Sequence, residues 1–159
     1  MDGIFSLAVH ALVYLSHKDC WLSSEALAAN ICTNPARVRK VMAQLKRAGF
    51  VFTREGNIGG YRLAADPAAL RLDAVADALG VRFVSTAWHS GSDDLGCLVA
   101  SGMAGIMDGL YADLDRCCRA RLAAVTVADL EARIFCTAGA PPAGPSAAAP
   151  GQDAKSGGA

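Results

Sequence analysis

Apolar residues in the N-terminal third of the chain recur at helical spacing. Ile4, Leu7, Ala8, Ala11, Leu12 and Leu15 stand three, one, three, one and three apart, which is one stripe of an amphipathic helix over residues 4–16. A short helix follows, with Ser23 as a plausible N-cap and Leu27, Ala28 and Ile31 as its buried side. Cys32-Thr33 reads as a turn. Asn34-Pro35 then marks a sharp start: a capping residue, followed by the residue whose fixed φ and missing N–H suit the first helical position. The third helix runs to about Ala48, with Gly49 as its stop. Val38, Val41, Met42 and Leu45 face inward, and Arg37, Lys40, Gln44 and Arg47 line the opposite side. A helix, a short helix, a turn and a helix with a basic outer stripe make the helix-turn-helix pattern.

The pattern then changes period. Phe50 to Arg54 and Tyr61 to Leu63 are β-prone, and Glu55-Gly56-Asn57-Ile58-Gly59-Gly60 between them supplies the positive-φ residues of a hairpin turn. A two-stranded wing is expected there, its glycines leaving room for backbone amides to approach a phosphate. Leu70-Arg71-Leu72-Asp73 leads into a helix to Leu79, ended by Gly80, and residues 85–96 look irregular. From about Cys97 to Arg121 a long helix carries Val99, Met103, Ile106, Leu110, Leu114 and Cys117 at spacings of four, three, four, four and three, close to the repeat of a helix-pairing seam. Gly102, Gly105 and Gly109 weaken that helix by about 1 kcal/mol each. Packing against the same helix of a second subunit would offset the loss, and packing onto the first helix is the alternative. Thr126-Val127-Ala128-Asp129 reads as a capping box opening a last helix through Phe135. From Thr137 the chain is Pro, Gly, Ala and Ser, too poor in large apolar residues to order itself.

The expected fold is therefore mainly α with a small two-stranded β wing, a winged helix-turn-helix plus a long dimerisation helix. Its division is residues 1–80 for the winged unit, 81–136 for the dimerisation region and 137–159 for a disordered tail.

Charge sharpens this picture. The 159 residues have a formal net charge of zero, yet residues 34–62 hold seven bases (Arg37, Arg39, Lys40, Lys46, Arg47, Arg54 and Arg62) against the single acid Glu55. A basic block on a neutral chain points to a polyanion, and here to duplex DNA docked on residues 34–62, although a solvated helix face would show the same charges. No run of apolar residues is long enough to span a bilayer, and Met1-Asp2 offers no basic region of a signal peptide, so a cytoplasmic protein is expected. The six cysteines then read as reduced thiols. The histidines are scattered, and no Ser/His/Asp, paired-carboxylate or phosphate-loop arrangement stands out, so no catalytic site, metal or cofactor is expected.

Residues 5–135 resemble the Rrf-two family of bacterial winged-helix transcription regulators, particularly its members without iron–sulfur clusters. The resemblance is carried by Ala8-Val9-His10-Ala11-Leu12, Ser24-Glu25-Ala26-Leu27-Ala28, Asn34-Pro35 with Val38-Arg39-Lys40, and Leu45-Lys46-Arg47-Ala48-Gly49-Phe50. It continues in Gly59-Gly60-Tyr61-Arg62-Leu63, Leu70 to Val75, Cys97 and Thr126 to Leu130. It implies a homodimer on a palindromic operator; the spacing above puts the pairing at Val99, Met103, Ile106, Leu110 and Leu114, and a repressor is the expected class. It places base and phosphate contacts at Arg37, Arg39 and Lys40 and the wing tip at Asn57 to Gly60; with Thr33, Asn34, Pro35 and Arg54 beside them, these residues, including Gly59, are the expected DNA-contacting set. One position departs from the pattern: many members have Arg just before the wing glycine, where this chain has Glu55, with Arg54 one place earlier.

Cluster-binding members carry three neighbouring cysteines before the long helix, where this chain has Cys97 alone, with His89 nearby. Some cluster-free members sense oxidants or electrophiles through a thiol pair joined across the dimer, and the resemblance implies that Cys32 and Cys97 are that pair. Two other classes stay open: a winged-helix redox or ligand-binding adaptor without DNA affinity, and an iron–sulfur or metal sensor.

Overall fold

The computed structural model describes residues 3–56, 59–92, 94 and 96–137. Helix α1 (Ile4–Lys18) is followed by α2 (Ser24–Ile31), α3 (Pro35–Arg47), strands β1 (Val51–Arg54) and β2 (Gly60–Leu63), α4 (Leu72–Ala78), α5 (Leu98–Ala123) and α6 (Val127–Thr137). Of the tail expected to be disordered, residues 137–159, Thr137 instead closes α6, and residues 138–159 lie outside the described residues.

The start signals act as the local chemistry requires. Ser23 Oγ accepts the Ala26 N–H at 3.1 Å, and Asn34 Oδ1 accepts the Arg37 N–H at 2.8 Å, with Pro35 opening α3. At α6 the capping box closes in both directions: Asp129 Oδ2 accepts the Thr126 N–H and Thr126 Oγ1 accepts the Asp129 N–H.

One core joins α1, α2, α3 and α4. Leu12, Leu15, Leu27, Val38, Met42, Leu45 and Val75 are fully buried in it. Val125 and Val127 belong to the same core, because the chain returns after α5 and lays α6 along α1. There Ser16 Oγ donates to Glu131 at 2.6 Å, and the His17 ring stacks on Phe135 with centroids 4.6 Å apart. The first helix is thus covered by α6, and α5 packs on α4 instead.

The sheet is the antiparallel pair β1–β2, with Val51 opposite Leu63 and Arg54 opposite Gly60. Leu22 adds a bridge to Tyr61, the two residues exchanging N–H···O bonds of 2.9 and 2.8 Å. The wing is thereby tied to the segment that leads into α2, two residues before its start.

Only Asp115 of α5 is buried. Its Oδ1 accepts the N–H groups of Phe83 and Val84 at 2.7 and 3.2 Å, and its Oδ2 accepts the Arg119 Nε–H at 3.1 Å. Arg119 also donates to the Val81 carbonyl at 2.7 Å and pairs with Asp77. This node fastens α5 to the segment after α4. Burial pushes the Asp115 carboxyl up, but the two backbone donors and Arg119 outweigh it and hold the group below its ordinary range.

A depressed carboxyl stabilises the fold wherever it is ionised and its unfolded counterpart is ionised too. The contribution is complete above the ordinary value of 3.8 and fades as pH falls below it. Asp115→Ala is expected to cost about 1.5–3 kcal/mol at neutral pH, because it strips acceptors from the half-buried N–H groups of Phe83 and Val84 and from Arg119. Urea titrations at descending pH should show the gap between the two proteins closing below that value.

Candidate nucleic-acid interface

The face that α3 turns outward follows from the four residues it buries. With about 100° per residue, Val38, Val41, Met42 and Leu45 put Ala36, Lys40, Ala43 and Arg47 at the centre of the exposed side. Arg39 and Lys46 fall on the flank toward the wing. Arg37 and Gln44 fall on the flank toward α1. The Arg37 guanidinium accordingly lies beside Gly3 at the start of α1, and Gln44 Oε1 is buried without a partner. Gln44 therefore does not belong to an open basic stripe, as its spacing alone suggests.

Between the start of α2, the flank of α3 and the wing runs an open groove of about 510 Å³. Ser23 and Ser24 form one end, Arg39, Ala43 and Lys46 the floor, and Arg54, Gly59 and Gly60 the opposite wall. Arg39 Nη1 donates to Ser24 Oγ at 3.0 Å and reaches Glu25 Oε1 at 3.3 Å. The Glu25 carboxyl is held low, first by its own backbone N–H and then by the Ser24 hydroxyl, so it stays charged beside Arg39. The Arg54 guanidinium lies over the Trp21 ring, 4.7 Å from its centroid. Three cations, set against Glu25 and Glu55, thus line one concave surface whose end is a helix N-terminus, a net positive arrangement that favours an anion.

Glu55 is exposed and also lines this groove, and Gly56 beside it has positive φ. The wing glycines have reasons of their own. A Cβ on Gly60, whose φ is +147°, would stand 2.3 Å from the Leu22 carbonyl oxygen, and one on Gly59 would stand 2.3 Å from that of Arg54. Both are therefore required by contacts inside the protein, whatever approaches from outside.

The remaining expected residues spread around this surface. Thr33 is half-buried, its N–H bonded to the Ala28 carbonyl, and Asn34 is engaged as the α3 cap. Lys40 is exposed outside the groove, and Asn57 lies outside the described residues. Lys46, Ser23 and Ser24 join the groove although the family pattern does not single them out. The spacing of Lys46 from Arg39, seven residues with Ala43 between, would have pointed to it.

The two thiols occupy helix ends. Cys32 is exposed and left-handed, with φ 57°, at the close of α2. Cys97 is exposed at the N-cap of α5, where the N–H groups of Ala100 and Val99 lower its thiol below the ordinary value. The seam residues are exposed as well: Val99 at 68%, Ile106 at 69%, Leu110 at 50% and Leu114 at 44%, with Met103 the most covered at 38%.

A basic helix beside a β wing that is hydrogen-bonded to the helix-turn-helix defines a winged helix-turn-helix protein. The chain belongs to the Rrf2 family, whose model, described as an iron-dependent transcriptional regulator, matches residues 2–133. It is 28% identical over 135 residues to YwnA of Bacillus subtilis, whose name describes an HTH-type transcriptional regulator, with 85% of this chain and 99% of that one covered. A transcriptional regulator from Lactobacillus plantarum matches in structure with a TM-score of 0.75 at 30% identity, over 85% of this chain and 91% of the other. CymR, the global cysteine regulator of Bacillus subtilis, shares the fold with a TM-score of 0.62 at 16% identity, over 84% and 96% of the two chains. The chain is thus a regulator of transcription with a DNA-binding fold, from a family of regulators and not of enzymes.

The iron in the family's description would need a donor set that the described residues do not assemble. Cys97 stands alone at one end of α5, Cys117 and Cys118 lie about 30 Å along it, and among the described residues no three His, Cys, Asp or Glu side chains gather. An iron–sulfur cluster does not fit these residues. Among the described residues no helix is long and apolar enough to cross a membrane.

Proposed function

We propose that the chain acts as a cytoplasmic homodimer that represses transcription by occupying a palindromic operator, one reading head per half-site. The observation that carries this reading is the groove in which Arg39, Lys46 and Arg54 meet the N-terminus of α2. A phosphate in that groove would be held by cations and helix amides together, with the exposed centre of α3, including Lys40, turned into the major groove beside it. Pro35 and the Asn34 cap fix where α3 begins, Thr33 and Arg37 flank that start, and the wing from Arg54 through Asn57 to Gly60 follows the backbone. Residues 1–80 would read DNA and residues 81–136 would pair the subunits.

Pairing rests on the exposed stripe Val99, Met103, Ile106, Leu110 and Leu114. An apolar stripe of this length left in water is what a partner helix covers. Gly102, Gly105 and Gly109 have open space where a Cβ would stand, so a second backbone can come close.

Redox control is the finer part of the reading. Cys97 combines exposure with a lowered thiol value, and exposed Cys32 sits at the hinge between α2 and α3. A peroxide or disulfide oxidant would take two electrons and two protons from the pair and leave a Cys32–Cys97 disulfide between subunits, changing the spacing of the reading heads.

Fluorescence anisotropy on operator DNA selected from random sequence tests the first claim. Affinity is expected to fall steeply as salt rises, since each neutralised phosphate releases counterions. Arg39→Ala should weaken binding across sequences and lower the salt slope by about one, as loss of a phosphate contact does, whereas a bidentate base contact would cost about 1–3 kcal/mol and relax the sequence preference. Salt-independent binding would instead support an adaptor that has lost DNA.

Sedimentation of the full chain is expected to show a dimer, and Leu110→Glu a monomer, since a charge in the seam loses its water on pairing. A dimer that survives the substitution would put the seam elsewhere.

After diamide, non-reducing electrophoresis should show a covalent dimer that both Cys32→Ser and Cys97→Ser abolish. Its persistence in either variant would refute the pairing.

A further inference from the structure

A second hollow, about 240 Å³, lies between residues 86–90 and α5. It has no part in the reading of DNA. Trp88, 74% exposed, stands at its wall, and neither Trp88, Met103 nor Met107 is among the core residues or those packed on them. An indole left in water and two thioethers outside the core are apolar surface that the fold itself does not use.

The placement of these groups is specific. Met103 and Met107 are four residues apart on α5 and so share one face. The Trp88 backbone N–H donates to Thr86 Oγ1 at 3.2 Å, a local turn in the backbone that carries the indole. His89 Nδ1 lies 3.3 Å from Asp108 Oδ1, and Asp108 is the next residue on α5 after Met107. This contact sets Asp108 beside Nδ1, on the far side of the ring from Nε2. Metal-ligating imidazoles commonly have a carboxylate beside the second ring nitrogen.

We propose that this hollow binds a soft monovalent cation of the Cu(I) type, through the thioethers of Met103 and Met107 and Nε2 of His89, with the Trp88 indole against the ion. Thioether and imidazole donors select Cu(I) and its analogue Ag(I) over hard cations, which prefer carboxylates and water. The carboxylate here is engaged with the imidazole and serves as its support. The indole face attracts a cation electrostatically. The site is separate from the cysteines and from the iron chemistry of the family's description, and it stands whether or not the groove binds DNA. It also borders the exposed stripe of α5, because Met103 belongs to both, so an occupied site would sit against the edge of the seam.

The test uses the full chain with all six cysteines replaced by serine, since thiols would compete for the probe. All six are exposed or half-exposed, so the replacements leave the core intact. Silver nitrate is added in chloride-free buffer to protein labelled with ¹³C at the methionine methyls. The methyl signals of Met103 and Met107 should shift together and saturate at one equivalent, while fully buried Met42 stays still and Trp88 fluorescence falls. Met103→Leu with Met107→Leu keeps side-chain volume and should lower affinity at least tenfold. Asp108→Asn should lower it by about tenfold, as loss of a ligand's supporting partner does. Unmoved methyl signals at excess silver, or equal affinity in the double variant with its fold intact by circular dichroism, would overturn the proposal.

Discussion

Two backbone hydrogen bonds between Leu22 and Tyr61 hold the reading surface together. A lone two-stranded hairpin is marginal in water, and of β1–β2 only Val51 is fully buried, with Tyr61 and Leu63 packed partly on the core. By pairing with Leu22, β2 becomes part of the same framework as the start of α2. The groove exists because of this attachment, since its two walls belong to elements that the Leu22–Tyr61 bridge joins. Gly60 is what lets the two backbones meet, as a side chain there would collide with the Leu22 carbonyl. Arg54 on Trp21 and Arg62 on Asp19 reinforce the same junction, though an exposed ion pair of the latter kind adds little. The few residues linking α1 to α2 thus position the wing.

These attachments also change the meaning of the charge. Of the seven bases in residues 34–62, Arg62 is paired with Asp19 and Arg39 with Glu25, acids that lie outside the block. A count along the chain therefore overstates the positive field. The shape of the groove, and the helix terminus at its end, matter as much as the number of cations.

The elements themselves were legible in the sequence. Asn34-Pro35 begins α3, Thr126 and Asp129 cap α6 from both sides, and the buried set of α3 is the one its spacing predicts. The lateral placement of the side chains was harder to read. Arg37 and Gln44 share the periodicity of a basic stripe, but α1 lies on that flank, and only the packing of α1 on α3 shows it. Asp115 looked like any other polar residue of a long helix. Its burial depends on the N–H groups of Phe83 and Val84, more than thirty residues away in an irregular segment with no period to read. The wing glycines were legible as turn formers, while their close contacts with Leu22 and Arg54 are long-range or depend on the turn's exact path.

The return of α6 onto α1 has a mechanical consequence. The 26-residue α5 is gripped near its C-terminal end, by the Asp115–Arg119 node on one side and, through α6, by the core around α1 on the other. A rod held in two places cannot turn without turning its mounting. At about 1.5 Å per residue this rod is about 39 Å long, so a tilt of about 5° displaces its far end by about 3 Å. That is close to the rise of one base pair, about 3.4 Å. A push on that far end would therefore reach the core around α1 only through the two attachments, with the lever of the whole rod behind it.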